Sequence, residues 1–200
     1  SSTTNISSAG AHQSNFGGNS ADGFLAVFNS NGNRLWATYY GGSGDDYSDA
    51  LYVTSSGDIY LSGFTNSPNN ISSPSAFQPN ISTVYDVFLA RFLITGFRFW
   101  ATYYGGNGDD TAFRLREGND AGLYMTGHTT STNVMATPNA FQSNKSGGQD
   151  VFLSRFENDG TVTWSTYYGG NANDFGYGLV LDANDRIFIL ERFRQKYKES

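Results

Sequence analysis

Two phrases set paired carboxylates among glycines, Gly41-Gly-Ser-Gly-Asp-Asp46 and Gly105-Gly-Asn-Gly-Asp-Asp110, with a divergent third copy from Gly169 to Asp174. Carboxylates in glycine-rich turns can bind Ca²⁺, and the first two phrases nearly match the start of the Ca²⁺-binding nonapeptide of parallel β-rolls. That motif shares ions between coils about nine residues apart. Here the interval is 64 residues, and Ser48 stands at the motif's apolar position. A Ca²⁺ ion also takes about six or more oxygen ligands. The expectation is therefore structural: the glycines permit the turn, and Asp46, Asp110 and Asp174 accept backbone N–H bonds that fix it. Ca²⁺ is the competing reading, and no other metal or cofactor is suggested.

The aromatics could do a different chemistry. Trp36, Trp100 and Trp164, each followed by a Tyr pair, could stack on sugar rings or pack between sheets, and their recurrence at one position in every copy favours packing. Phe77 and Phe141 are expected to pin the links between copies, with His12 the weaker substitute in the first, and Asp22, Asp86 and Asp150 to order the start of each first strand. No catalytic residue is assigned. The chain has no His-x-x-x-His pair, no Gly-x-Ser-x-Gly elbow and no phosphate-binding loop. His12 and His128 lie in unequal contexts, and Asp45 and Asp46 diverge from a turn instead of facing one another across a substrate.

The elements that must position these residues follow from a period. The tryptophans recur every 64 residues within Trp36-Ala-Thr-Tyr-Tyr-Gly-Gly42, Trp100-Ala-Thr-Tyr-Tyr-Gly-Gly106 and Trp164-Ser-Thr-Tyr-Tyr-Gly-Gly170. The same offset links Asp22-Gly-Phe-Leu-Ala-Val-Phe28 to Asp86-Val-Phe-Leu-Ala-Arg-Phe92 and Asp150-Val-Phe-Leu-Ser-Arg-Phe156. A fixed period of tens of residues signals a repeat architecture. Within the first copy, β-rich runs bounded by turn residues read as strands over 24–28, 35–40, 49–54 and 59–64, with Asn31-Gly32 and Ser56-Gly57 as turns. Bulk on both faces of these strands suits sheets stacked face to face.

Composition agrees. With 24 Gly, 13 Tyr, 16 Phe and only 15% charged residues, the chain favours strands and turns over helices. A net charge of -6 argues against nucleic acid as a partner, and the absence of cysteine removes disulfides and zinc-thiolate sites. No apolar run reaches the roughly 18 residues of a membrane span, so membrane insertion is not expected.

The Trp-x-Thr-Tyr-Tyr-Gly-Gly-x-Gly-Asp-Asp phrase, the run Leu51 to Gly63 and the Pro-x-Ala-Phe-Gln phrases at Pro74 to Gln78 and Pro138 to Gln142 resemble the SBBP family, a bacterial seven-bladed β-propeller repeat. The resemblance implies an all-β fold of three four-stranded antiparallel blades, a partial propeller. The expected layout is an N-terminal connection over 1–23, blades with their connections over 24–85 and 86–149, a third blade over 150–190 and a basic tail over 191–200. It also implies a secreted or cell-surface binding or adhesion scaffold, with a structural subunit of a larger extracellular assembly as the alternative. Expected partners are other blades, other copies of the chain or a surface partner, a glycan among them. Three blades fall short of the four to eight that close a propeller, so the chain is expected to be a fragment or a protomer completed by another copy or a partner.

Overall fold

The computed structural model describes residues 2–82 and 84–191, which form twelve strands and no helix. The strands are β1 (Gly23–Phe28), β2 (Arg34–Tyr40), β3 (Asp46–Val53), β4 (Ile59–Thr65), β5 (Asp86–Phe92), β6 (Arg98–Tyr104), β7 (Asp110–Glu117), β8 (Leu123–Thr129), β9 (Asp150–Phe156), β10 (Val162–Tyr168), β11 (Gly176–Leu181) and β12 (Ile187–Glu191). All pairings are antiparallel, and the tight turns fall where glycine takes positive φ, as at Gly32 with φ 78°. In the β3–β4 turn Gly57 has φ 90°, and the residues one and two periods on, Ala121 and Asp185, hold the same left-handed backbone at 59° and 58°. The turn geometry is thus kept even where its preferred residue is not.

The strands do not group as the expected blades. Two sheets have four strands, ordered β3-β4-β5-β6 and β7-β8-β9-β10, and two have only two, β1-β2 and β11-β12. Each four-stranded sheet joins the last two strands of one sequence copy to the first two of the next, so the boundaries 24–85, 86–149 and 150–190 cut through sheets. The reason is the pairing across the long connection: β4 lies against β5 from Ile59↔Phe92 to Thr65↔Asp86, and β8 against β9 from Leu123↔Phe156 to Thr129↔Asp150. The expected tail lies outside the described residues beyond Glu191.

The sheets stack, and β5 shows how. Its Val87 and Leu89 enter one core cluster with Tyr60, Trp100, Leu115, Met125 and Phe156, while Phe88, Ala90 and Phe92 enter another with Leu25, Tyr40, Ile59 and Tyr103. Alternate side chains point to opposite faces, so a strand apolar at every position needs a neighbour on both sides. Burying each Val, Leu or Phe there stabilises the fold by roughly 1.5–3 kcal/mol.

The expected third strand, 49–54, begins earlier, at Asp46, because a β-bulge between Ser48 and Ala50 absorbs one extra residue. The bulge recurs between Ala112 and Arg114 and between Gly176 and Gly178. Opposite it, Gly63 and Gly127 are required, because a Cβ there would overlap the carbonyl oxygens of Tyr47 and Thr111.

Candidate functional site

The Gly-Gly turns sit where two strand starts meet. Asp46 Oδ2 accepts from the Gly42 N–H at 2.8 Å and from Ser67 Oγ at 2.8 Å, while Thr65 Oγ1 donates to Oδ1. One period on, Asp110 Oδ2 accepts from Gly106 N–H at 2.9 Å and Ser131 Oγ at 2.8 Å, and Thr129 Oγ1 donates to Oδ1. Asp174 Oδ2 accepts from Gly170 N–H at 2.8 Å. Asp45, the other acid of the first pair, reaches the preceding loop instead and accepts from Ser20 N–H and Oγ.

The acids of the first strands close the other side. Asp22, Asp86 and Asp150 accept from the loop N–H groups of Gly17, Ser82 and Ser146 at 2.8, 2.8 and 2.9 Å. They converge on the turn acids across one small residue. A Cβ on Gly105 would lie 2.6 Å from Asp86 Cγ and 2.7 Å from Asp110 Oδ2, and Gly41 and Gly169 show the same arrangement with Asp22/Asp46 and Asp150/Asp174. Burial raises Asp46, with the nearby Asp22 charge adding to the rise, and pushes Asp110 from 3.8 up to about 7, outweighing three hydrogen bonds to its anion.

The links between copies are not pinned by the expected residues. Phe77 is 47% exposed and Phe141 82% exposed, so neither is a buried anchor, and His12 is exposed as well. The next residue in each phrase does the pinning. Gln78 donates through Nε2 to Asp86 Oδ2 at 2.8 Å, and its Oε1 accepts from the Gly105 N–H at 3.1 Å. Gln13 bridges Asp22 and Gly41 in the same way, and Gln142 bridges Asp150 and Gly169. An amide can donate at one end and accept at the other, which a phenyl ring cannot. The signal was present in sequence, because Gln is the one polar residue of the phrase shared by all three copies, whereas the aromatic becomes His12 in the first.

The tryptophans pack on the hairpin of the next copy. Trp36 Nε1 donates to Ile94 O at 2.8 Å with its ring against Gly96, and Trp100 Nε1 donates to Asn158 O at 2.7 Å with its ring against Gly160. Trp100 is 8% exposed; Trp36 and Trp164 are half-buried.

Sequence reasoning missed a half-buried aromatic cluster built around the bulges. A bulge re-aims a side chain. The bulged residues Phe113 and Tyr177 stack with ring centroids 4.8 Å apart, joined by His128 at 5.1 Å from Phe113 and by Phe175 at 5.0 Å from His128. These four lie half-buried at the ends of neighbouring strands β7, β8 and β11, beside the Asp110 turn. The first copy holds a smaller counterpart, in which Tyr47 stacks on Phe64 at 4.7 Å and Phe64 meets Tyr85 at 5.6 Å. Burial lowers His128 from 6.5 to about 4, against the opposing pull of Asp109, so the ring is neutral at pH 7. Its Nδ1 has no hydrogen-bond partner among the described residues. Among those residues there is also no group of three or more His, Cys, Asp or Glu placed to hold a metal ion.

No protein-family model matches the chain. A curated relative, the regulatory protein FlaEY of Caulobacter vibrioides, is 26% identical over 172 residues, a match that covers 84% of this chain and 18% of that protein. The chain therefore spans less than a fifth of that relative's length.

Proposed function

We propose that the chain is a non-catalytic repeat module of β-propeller type, secreted or at the cell surface, that works as a rigid binding scaffold with its ligand seat at the Phe113–His128–Phe175–Tyr177 cluster. The observation that carries this reading is the stacked pair of bulged rings. Aromatic faces held half-open beside hydroxyl- and amide-rich turns suit ligands with an apolar face and polar edges, such as the pyranose rings of a glycan. A non-catalytic role is supported by the turn carboxylates, whose oxygens accept from structural donors.

A glycan array followed by calorimetry tests the proposal. A specific sugar should bind, and Phe113→Ala or Tyr177→Ala should weaken it tenfold or more while leaving the melting temperature within a few degrees. No binding to any array member would overturn the glycan reading, and binding unaffected by either substitution would overturn the site.

A further inference from the structure

A groove elsewhere on the molecule has a chemistry unlike the aromatic seat. It lies between the connection ahead of β1 and the edge strand β6, has a volume of about 350 Å³, and its lining includes His12, Ser14, Asn15, Phe16, Asn70 and Arg98. That volume is in the range of small-molecule sites.

Arg98 sets the character of this groove. Its Nη1 donates to Ile71 O at 2.8 Å and Asn70 O at 3.3 Å, and the Ile71 carbonyl also takes the Tyr40 hydroxyl at 2.8 Å. The guanidinium is thus held from one nitrogen, which leaves the Nε and Nη2 N–H groups as the fork that matches a carboxylate. Arg91, Arg155 and Arg186 each have a carboxylate partner, whereas Arg98 makes no ion pair among the described residues. His12 stands beside it, edge-on to Phe92 at 5.7 Å and tilted against Tyr40 at 6.3 Å. Desolvation by its surroundings and the Arg98 charge lower His12 to about 4, so at pH 7 it is neutral and offers one N–H and one lone pair. Ser14, Asn15 and Asn70 add hydroxyl and amide groups, and Phe16, edge-on to Tyr39 at 6.2 Å, adds an apolar face.

The equivalent place one period on does not share this chemistry. Val134 keeps the left-handed backbone of Asn70, with φ 67° against 62°, and Val162 stands where Arg98 does and packs against the buried cluster that contains Met135 and Phe156. The fold therefore accepts an apolar residue at both positions, and the charge in the first groove is not a requirement of the repeat.

We propose that this groove binds a small carboxylate on a hydroxyl-rich body, such as a uronic acid residue, with the carboxylate on Arg98, hydroxyls on His12, Asn15 and Asn70, and one ring face against Phe16. The class follows from the charges. One guanidinium in a chain of net charge -6 balances the single charge of a carboxylate better than the near-double charge of a phosphate monoester. The site shares no residue with the Phe113 cluster and does not depend on it.

NMR and calorimetry test the proposal with glucuronate as the probe. The chain has two histidines, one in this groove and one in the aromatic seat, which gives a readout free of substitutions. On titration the ring signals of His12 should shift saturably and those of His128 should stay. Glucuronate should bind at least tenfold more tightly than either glucose or acetate. Arg98→Val, which introduces the residue type found at Val162, should weaken glucuronate tenfold or more and keep the melting temperature within a few degrees. Arg34→Val is the matched control and should leave binding unchanged, because Arg34 Nη1 holds Ile6 O at 2.7 Å as Arg98 holds Ile71 O, yet Arg34 does not line the groove. If Arg98→Val fails to fold, the histidine shifts and the ranking of the three probes on the unaltered chain decide. The proposal is overturned by an unmoved His12, by a shift at His128 instead, or by glucose or acetate binding as well as glucuronate. It is also overturned if Arg98→Val binds normally or if Arg34→Val weakens binding equally.

Discussion

The second and third Gly-Gly turns share a sequence phrase and differ in structure. After Trp100-Ala-Thr-Tyr-Tyr-Gly-Gly106, Asp110 is fully buried and receives Gly106 N–H, Ser131 Oγ and Thr129 Oγ1. After Trp164-Ser-Thr-Tyr-Tyr-Gly-Gly170, Asp174 is only half-buried and receives Gly170 N–H. Thr129 and Ser131 come from the end of β8, and one period on the sequence has Phe193 and Gln195, outside the described residues. Glu191 likewise stands at the position of Gly63 and Gly127, where the bulge leaves no room for a Cβ, and the β11–β12 ladder begins only at Gly176↔Glu191. The local phrase fixes the turn, but the environment of its acid is set by the strand end that closes over it.

The largest expected contrast is between the tryptophans of these two copies. Trp100→Ala should cost roughly 3–5 kcal/mol, since it removes a buried ring and one of the two donors to the Asn158 carbonyl, leaving it only Arg91 Nη1. Trp164→Ala, at a half-buried site, should cost about 1–2 kcal/mol. Urea denaturation of both variants measures the difference. Equal losses would show that burial of the ring does not set its contribution.

Next come the acids. Asp110→Ala strands three donors in a buried site and should cost about 2–4 kcal/mol, whereas Asp174→Ala should cost about 1 kcal/mol or less. A double-mutant cycle with Thr129→Val should show coupling of about 1 kcal/mol for Asp110 and none for Asp174. The adjacent glycines give a smaller contrast. A Cβ on Gly106 would sit 2.5 Å from Asn133 O, while one on Gly170 meets nothing within 4 Å. Gly106→Ala should therefore cost roughly 1–3 kcal/mol and Gly170→Ala almost nothing in a thermal melt.

The pH dependence separates the two turns further. Asp110 is raised from 3.8 to about 7, so between those values the folded state holds a proton that the unfolded chain has released. Stability should then fall as pH rises from about 4 to about 7 and level off above, by something on the order of 1–3 kcal/mol. Asp46, raised by burial, acts in the same sense; Asp45, lowered chiefly by its bond from Ser20 Oγ, acts oppositely and below pH 4. In Asp110→Asn the fall should flatten, and in Asp174→Asn it should persist. A stability that climbs over this range would mean that the three donors outweigh burial.

Much of this was legible in the residues. The 64-residue period, the strands and the Asp-capped turns follow from the repeated phrases, because turn formers and β-rich runs act over a few neighbours. The grouping of strands into sheets was not legible, since β4 meets β5 across twenty residues of connection and nothing local distinguishes that pairing from a break between units. The role of Gln78 was masked by Phe77, because an aromatic next to a polar residue reads as the buried member, yet a buried carboxylate such as Asp86 needs a donor more than a core needs one more ring. The aromatic cluster was hidden by the bulge, which turns Phe113 out of the alternation that a strand pattern assumes.

The smallest expected effect is that of Ca²⁺, and it tests whether the two turns differ in kind or only in closure. At Asp110 the carboxylate oxygens already face one N–H and two hydroxyl donors, whose hydrogens would repel a cation approaching along those directions. At Asp174 the half-buried carboxylate has fewer such donors, but Asn171, Ala172 and Asn173 replace the Gly-Asp pattern of the first two turns, so a second acidic ligand beside it is lost from the phrase. Neither turn offers the six or so oxygens that Ca²⁺ requires. Millimolar Ca²⁺ or EDTA should therefore move the melting temperature by less than about 1 °C, where a bound ion at a hundred times its Kd would add about 2.7 kcal/mol. A saturable rise abolished by Asp46→Ala and Asp110→Ala would assign the ion to the closed turns. One abolished by Asp174→Ala alone would assign it to the open one and make the third copy the functional departure in the repeat.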